Sequence, residues 1–327
     1  MLRRCNQAIQ FALTCDSIKK ITQRGKQMQQ GGSSYPSCSS TSDCFSLTHL
    51  SAAQCGSENL SEPEKSEVRA NNTSTELSRM RSLVMFYLSY LLCVCLGLSC
   101  VICVYVWNSQ WLGGFSWDGS FLQFNWHPVL MVTGLVVVYG IAAVMYRIPL
   151  TWGQNKLPWK LLHAVLMLIA LVLSVVGLCA VFDYHNAKNI PNVYSLHSWI
   201  GIVATALFAM QWAFGATAFL LPCSPLSLRK LLKPVHVWFG GSVVFLSIAA
   251  CISGINEKLF FDLKENTTGS QHYRELPPEA VLGNALGVLI VAFGLVVLMI
   301  LSNHKWQRPD SRTGDLAYAP LLQEENE

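Results

Sequence analysis

Charged residues are scarce in this sequence. Asp, Glu, Lys and Arg make up only 13% of the 327 residues, whereas apolar residues make up 52%. This balance excludes an ordinary soluble domain, in which about a quarter of the residues are charged. A basic block interleaved with aromatic residues is also lacking, so nucleic acid is not an expected partner. The composition indicates a membrane protein.

Two motifs of soluble redox and metal proteins are missing or isolated. No GxGxxG occurs, which argues against a dinucleotide-binding domain. Cys100 and Cys103 form a lone CxxC inside an apolar stretch, without histidines nearby. We therefore expect these cysteines to be buried apolar residues and not zinc ligands.

The N-terminal region, residues 1–80, has little hydrophobic periodicity. It is rich in Ser, Gln, Asn and Thr, so we predict a disordered extension. It contains no short apolar core of the kind found in secretory signal peptides. We therefore expect the first hydrophobic segment to act as an uncleaved membrane anchor.

Six apolar runs follow, each close to the roughly 20 residues that a helix needs to cross a bilayer. Because lipid-exposed backbone must satisfy its polar groups internally, these runs predict an all-α, polytopic membrane protein with six transmembrane helices. The runs are Val84 to Trp107, Trp126 to Tyr146, Leu161 to Phe182, Leu196 to Leu221, Val235 to Ile255, and Val281 to Leu301.

The distribution of lysine and arginine predicts the orientation. With the N-terminus inside, ten of these residues flank the runs on the inner side and four lie in the outer loops. This bias favours both termini in the cytosol. The glycosylation sequon at Asn266 then lies on the non-cytosolic side, where such modification occurs.

Four of the eight histidines lie near the starts of runs two to five: His127, His163, His197 and His236. Alternating helix direction places His127 with His197 on one side of the bilayer and His163 with His236 on the other. An ionisable residue within a membrane is costly and indicates function. Two facing histidines in a four-helix bundle can supply both axial nitrogens of a haem iron, so the pattern is suited to two haems and to electron transfer.

The alternative for any one histidine is an interfacial residue hydrogen-bonded to a neighbouring helix. A second alternative is a haem-free or proton-coupled membrane transporter that uses the histidines as a relay. Such a relay requires further polar groups between the histidine layers, and the helix interiors are almost entirely apolar. A nicotinamide-driven ferric reductase fits poorly, because the cytosolic loops and the tail are short.

Three segments around the histidines resemble the cytochrome b561 family of ascorbate-dependent transmembrane reductases. They are Phe124 to Met131 (FNWHPVLM), Tyr194 to Trp199 (YSLHSW) and Lys233 to His236 (KPVH). The resemblance covers roughly residues 80 to 309, so we predict a transmembrane domain over 81–309 and a short cytosolic tail over 310–327. The tail sequence Tyr318 to Leu322 is typical of an endolysosomal sorting signal.

The resemblance implies a complete reaction. Runs two to five form a four-helix bundle around two haem b groups, with His127 and His197 as axial ligands of the non-cytosolic haem, and His163 and His236 as those of the cytosolic haem. Cytosolic ascorbate is the electron donor, and ferric iron or monodehydroascorbate is the acceptor. The enzyme is then a ferrireductase of late endosomes or lysosomes, and a homodimer.

The resemblance also implies further site residues. Haem contacts are expected from Arg147, Asn192, Val193, Tyr194, Ser195 and Glu257. Ascorbate contacts are expected from Lys156, Lys160 and Arg229, whose cationic side chains attract an anionic donor. On the acceptor side the expected residue is His185. The alternatives are that the cations are ordinary inner-face anchors, that His185 is a solvated loop residue, and that Glu257 extends from a helix end to water.

Overall fold

The structure is a computed structural model that describes residues 62–221, 224–264 and 272–308. The chain divides into two compact units, Met1–Leu77 and Ser78–Glu327. In the first unit the described residues are helical. Residues 1–61, the sequon at Asn266 and the tail 310–327 lie outside the described residues, so the predictions made for them remain predictions.

Within the described ranges, six helices are long and apolar enough to cross a membrane. This confirms the predicted all-α, six-helix class. The helices are α1 (Glu62–Val106), α2 (Phe121–Arg147), α3 (Lys156–Ala187), α4 (Leu196–Phe219), α5 (Leu226–Asp262) and α6 (Pro278–Ser302).

Several helices extend beyond the apolar runs that predict them. α5 begins at Leu226 and ends at Asp262, about two turns outside the predicted run at each end. Its extra turns carry lysine, arginine and glutamate, which are good helix formers but too polar to count in a hydropathy run. By contrast, α4 begins at the predicted residue, because the Ser195 hydroxyl accepts a hydrogen bond from the backbone N–H of Ser198.

The prediction of disorder up to residue 80 is wrong for residues 62–80, which form the first turns of α1. This stretch contains no glycine, and its one proline, Pro63, lies near the helix start, where a missing N–H is tolerated. Helix propagation costs far less than nucleation. The apolar part of α1 can therefore extend helical structure upstream into a polar sequence.

α2 is the central helix, because a larger share of its apolar segment is buried than in any of the other five helices. It packs against α3, α5 and α6, while α4 packs against α3 and α5. A π-helical segment, Val132–Val138, follows Pro128. Within it, a Cβ at Gly134 would lie 2.9 Å from the backbone oxygen of Ala170, so only glycine allows α2 and α3 to approach this closely.

Aromatic side chains fill the middle of the bundle. The rings of Tyr139 and Phe208 meet edge to face with centroids 4.7 Å apart, and both are fully buried. The Tyr139 hydroxyl donates a hydrogen bond to the backbone oxygen of Gly240 at 3.1 Å. These contacts join α2, α4 and α5, and α3 packs against α2 and α4. Helices α2 to α5 therefore form a four-helix bundle with a packed centre.

Candidate functional site: two histidine pairs in one bundle

The four histidines lie in two pairs, the same pairs that helix direction predicts. The ring centroids of His127 and His197 are 6.0 Å apart, with the ring planes at 86°. Those of His163 and His236 are 6.4 Å apart, at 73°. We refer to these as the 127/197 pair and the 163/236 pair. The 127/197 pair joins α2 to α4, and the 163/236 pair joins α3 to α5. Each pair therefore connects two helices that are not consecutive in the chain.

Backbone carbonyls hold three of the four imidazoles by Nδ1. The Nδ1 atom of His127 lies 3.1 Å from the oxygen of Gly177, that of His163 lies 2.9 Å from Ala142, and that of His197 lies 2.8 Å from Ala250. A carbonyl oxygen can only accept, so each Nδ1 carries the proton and donates. Each Nε2 therefore keeps its lone pair, which is the state that binds a metal.

His236 has a different Nδ1 partner, the side chain of Gln211. The Gln211 amide nitrogen lies 2.9 Å from Nδ1 of His236 and also donates a hydrogen bond to the backbone oxygen of His236 at 2.6 Å. Gln211 was not among the residues predicted from the sequence. Only its position in space identifies it as part of the site.

The two pairs stand at two levels of the bundle. On α3, Gly177 follows His163 by 14 residues and contacts His127 of the other pair. At 1.5 Å per residue, this spacing corresponds to about 21 Å along the helix. The levels therefore lie near opposite edges of a hydrocarbon core about 30 Å thick.

A cavity of about 380 Å³ opens beside the 127/197 pair. His127 and His197 line it, together with His185, expected on the acceptor side, and three residues expected as haem contacts: Val193, Tyr194 and Glu257. The Tyr194 hydroxyl donates a weak hydrogen bond to Glu257 at 3.5 Å. The structure thus brings His185 and three of the expected haem contacts together around one space.

A lysine that the sequence analysis did not assign also lines this cavity. Lys258 forms an ion pair with Asp262 at 2.8 Å, and its side chain is only 14% exposed. Its ammonium lies 4.1 Å from the centroid of Phe121 and 5.1 Å from that of Phe124, within cation–π range. The EK pair at 257–258 resembles an ordinary helix-end sequence, so only the fold reveals that Lys258 turns inward.

Cations gather near the 163/236 pair. Lys160 donates to the backbone oxygen of Phe219 at 3.4 Å, and Arg229 donates to that of Leu221 at 2.8 Å. Both carbonyls lie at the C-terminal end of α4, where a helix attracts positive charge. The Phe219 ring is 5.2 Å from the His236 ring, so this cationic end adjoins the histidine pair.

The remaining predicted residues have mixed placements. Arg147 is buried and donates to the backbone oxygens of Leu301 and Asn303, so it caps α6. Lys156 begins α3, and Asn192 donates to Asn186 at 2.8 Å in the loop before α4. Ser195 caps α4 two residues before His197. The haem or ascorbate contacts implied for these residues remain predictions.

Comparison with known proteins identifies the bundle. The family model for eukaryotic cytochrome b561 matches residues 126–262, which include all four histidines. The chain is 61% identical over 242 residues to the lysosomal membrane ascorbate-dependent ferrireductase of Danio rerio, covering 74% of this chain and 98% of the relative.

Two further relatives extend the comparison. The human lysosomal membrane ascorbate-dependent ferrireductase is 57% identical over 69% of this chain and 92% of the relative. The plasma membrane ascorbate-dependent reductase of Xenopus laevis is 46% identical over 70% and 78%, respectively. With this similarity extending over nearly the whole of its nearer relatives, the chain belongs to the eukaryotic cytochrome b561 family.

Proposed function

We propose that this protein is a transmembrane ascorbate-dependent ferrireductase, which passes electrons from cytosolic ascorbate through two haem b groups to ferric iron on the far side. The observation that carries the proposal is the presence of two histidine pairs at two levels, with three Nδ1 atoms held by main-chain carbonyls. The names of relatives up to 61% identical to this chain supply ascorbate and ferric iron as substrates.

The residues present fit haem. Ring centroids 6.0 and 6.4 Å apart are compatible with one iron held by both imidazoles of a pair, since metal–nitrogen bonds are about 2 Å long. A Cβ at Gly254 would lie 2.7 Å from Cε1 of His197, and one at Gly215 would lie 2.8 Å from Cε1 of His236. Glycine therefore makes the space that each ring occupies. Bound haem would supply a one-electron carrier at each level.

Cationic side chains at the 163/236 end support binding of the electron donor there. At the 163/236 end, Lys160 and Arg229 concentrate positive charge where α4 ends. Ascorbate is an anion, and a cationic pocket mouth raises its local concentration. We assign donor binding to Lys156, Lys160 and Arg229, and we place this end in the cytosol, in agreement with the charge bias of the flanks.

The 127/197 end supports the acceptor. His185 and Glu257 line the same cavity as the histidine pair, and they offer an imidazole and a carboxylate to a metal ion. We assign His185 to ferric iron or monodehydroascorbate, and Glu257 beside it to a haem contact. Tyr194 and Val193 line the same cavity, in agreement with haem contacts at this level.

The interior between the two levels disfavours a proton-relay transporter. Hydroxyl groups there donate to carbonyls of their own helices: Ser174 to Ala170 at 2.8 Å, and Ser247 to Val243 at 2.7 Å. Tyr139 donates to Gly240. Groups already paired in this way do not form a continuous chain of exchangeable protons.

The cellular setting follows from the relatives. Two of them are lysosomal membrane proteins by name, so we assign this chain to late endosomes or lysosomes. We further propose that both termini are cytosolic, that Asn266 is glycosylated, and that the protein works as a homodimer. Glycosidase treatment should increase the electrophoretic mobility of the protein and leave that of Asn266→Gln unchanged, which tests the orientation directly.

The function is tested with purified protein in lipid vesicles. We expect two haem groups per chain, reduction of both on adding ascorbate, and formation of ferrous iron inside vesicles that enclose a ferric chelate. His185→Ala should lower the rate of iron reduction while leaving ascorbate-driven haem reduction intact.

Two outcomes would contradict the proposal. A colourless preparation would favour the haem-free transporter. A haem-containing protein that ascorbate fails to reduce would remove the assigned donor. Vesicles with ascorbate but without protein give the background rate.

A further inference from the structure

The two halves of the bundle repeat one spacing. Gly177 follows His163 by 14 residues, Ala250 follows His236 by 14, and Ala142 follows His127 by 15. Each of these three residues holds a histidine of the neighbouring helix through its backbone oxygen. The residue that follows His197 by 14 is Gln211, and it contacts His236.

The glycines repeat the same relation. Gly254 follows Ala250 by four residues and lies against the ring of His197. Gly215 follows Gln211 by four residues and lies against the ring of His236. α5 therefore holds His197, and α4 holds His236, with matching residues one turn apart. The difference is that α4 presents a side-chain amide where α5 presents a main-chain carbonyl.

The orientation of the Gln211 amide decides the protonation of His236. With the amide nitrogen toward Nδ1, as the 2.9 Å contact has it, Nδ1 accepts and the proton lies on Nε2. Rotation of the amide places its oxygen there instead, where it accepts from Nδ1–H. This rotation breaks the hydrogen bond from the amide nitrogen to the backbone oxygen of His236, so the side chain must also move away from that oxygen, since two acceptors repel each other. Only the second arrangement leaves the Nε2 lone pair available to a metal.

We infer that Gln211 is the positioning residue of His236: its side-chain oxygen accepts from Nδ1–H and so sets the tautomer, basicity and ring orientation of the ligand at the donor end. This inference rests on the proposed function, since it presupposes that His236 binds haem iron. The two levels differ in this respect. The Nδ1 partner of His236 is a side chain that a single substitution can replace, whereas the partners of His127 and His197 are backbone carbonyls.

The inference predicts opposite shifts in two variants. Gln211→Leu removes the acceptor, so the imidazole donates less electron density and the ferric state is less stabilised. The midpoint potential of one haem should rise, and that haem should be lost to apomyoglobin roughly 10- to 100-fold faster, the usual effect of deleting a partner of a ligand. Gln211→Glu supplies a stronger acceptor, so the same potential should fall.

The experiment is a redox titration of the full-length protein, with haem release measured in parallel. The second haem should keep its potential in both variants. In a His127→Ala background, which should retain only the 163/236 haem, the shifts should persist. Thr217→Val is the matched control: its hydroxyl, on the same helix, donates to carbonyls of its own helix, so both potentials should equal those of the unaltered protein.

Failure of the inference is distinct from failure of the proposed function. If the unaltered protein holds two haems and both potentials stay fixed in Gln211→Leu and Gln211→Glu, or shift together, Gln211 is not the positioning residue. Gln211→Met replaces the leucine variant if the latter does not fold. If the unaltered protein binds no haem, the proposed function is overturned instead.

Discussion

Each end of the bundle contains a histidine pair, but the charged residues around the two pairs differ. At the 127/197 end, a cavity is lined by His185, Glu257 and the inward-turned Lys258. At the 163/236 end, Lys160 donates to the last carbonyl of α4, that of Phe219, and Arg229 donates to that of Leu221, two residues after the helix ends. One end thus offers metal-binding groups and a mixture of charges, and the other offers cations. Under the proposed function, the histidines hold the same carrier at both ends, and the surrounding residues distinguish donor from acceptor.

The strongest test of this comparison removes one ligand at a time. His163→Ala and His127→Ala should each reduce the haem content from two per chain to one. Transmembrane iron reduction should fall by more than the roughly 100-fold expected from loss of a ligand's hydrogen-bond partner. His163→Ala should abolish fast reduction by ascorbate, whereas His127→Ala should preserve it. Stopped-flow absorbance measures this difference, and identical behaviour of the two variants would remove the distinction between the ends.

The second test concerns the cations of the donor end. Arg229→Ala should raise the KM for ascorbate roughly tenfold, because electrostatic focusing of an anion is lost. Lys160→Ala should act in the same direction. Lys230→Ala is the matched control, since this neighbouring cation is exposed to solvent and should leave the KM unchanged. Equal effects of Arg229→Ala and Lys230→Ala on the KM would show that general surface charge, and not a specific site, attracts ascorbate.

The third test concerns the ion pair of the acceptor end. Lys258→Met leaves the Asp262 carboxylate without its partner, so the free energy of unfolding should fall by about 1–3 kcal/mol. Lys258→Met combined with Asp262→Leu should recover part of that loss, because apolar replacement of a desolvated pair is often tolerated. Thermal unfolding in detergent measures both effects. A double variant less stable than Lys258→Met would show that Asp262 is stabilised by other groups.

The smallest expected effect is a pH dependence at Tyr194. Partial burial, and secondarily the Glu257 carboxylate, raise the pKa of its phenol above the usual value. The folded protein therefore keeps a proton that the unfolded chain releases near pH 10, so stability should decline as the pH rises above about 10. Tyr194→Phe should remove this part of the alkaline decline. Unfolding curves recorded across this range measure the slope, which should persist in the more distant variant Tyr105→Phe.

Hydrophobic patterning was sufficient to predict the six helices and the pairing of the histidines. Apolar runs must be helical in lipid, and alternating direction then sorts residues at helix starts into two levels. The same reasoning failed at residues 62–80, because polar composition does not prevent a helix from extending out of an apolar segment. It also gave no account of Arg147, which caps α6, since hydropathy carries no information about where a long side chain reaches.

The supporting contacts lay beyond sequence reasoning for a different reason. Gln211 resembles any polar residue within an apolar run, and Lys258 resembles any helix-end cation. Each is recognised only when the rotation of two helices about their axes is known. The offset of 14 or 15 residues between a histidine and the residue that holds the histidine of the neighbouring helix is visible in the sequence, but it acquires meaning only from the contacts.

The crossed Nδ1 contacts imply an order of assembly. α2 and α3 hold each other's histidines through Ala142 and Gly177, and α4 and α5 do the same through Ala250 and Gln211. Each helical hairpin therefore carries one imidazole at each level, held by a contact within the hairpin. A haem bound as proposed would take one histidine from each hairpin, so its binding would follow the insertion of both.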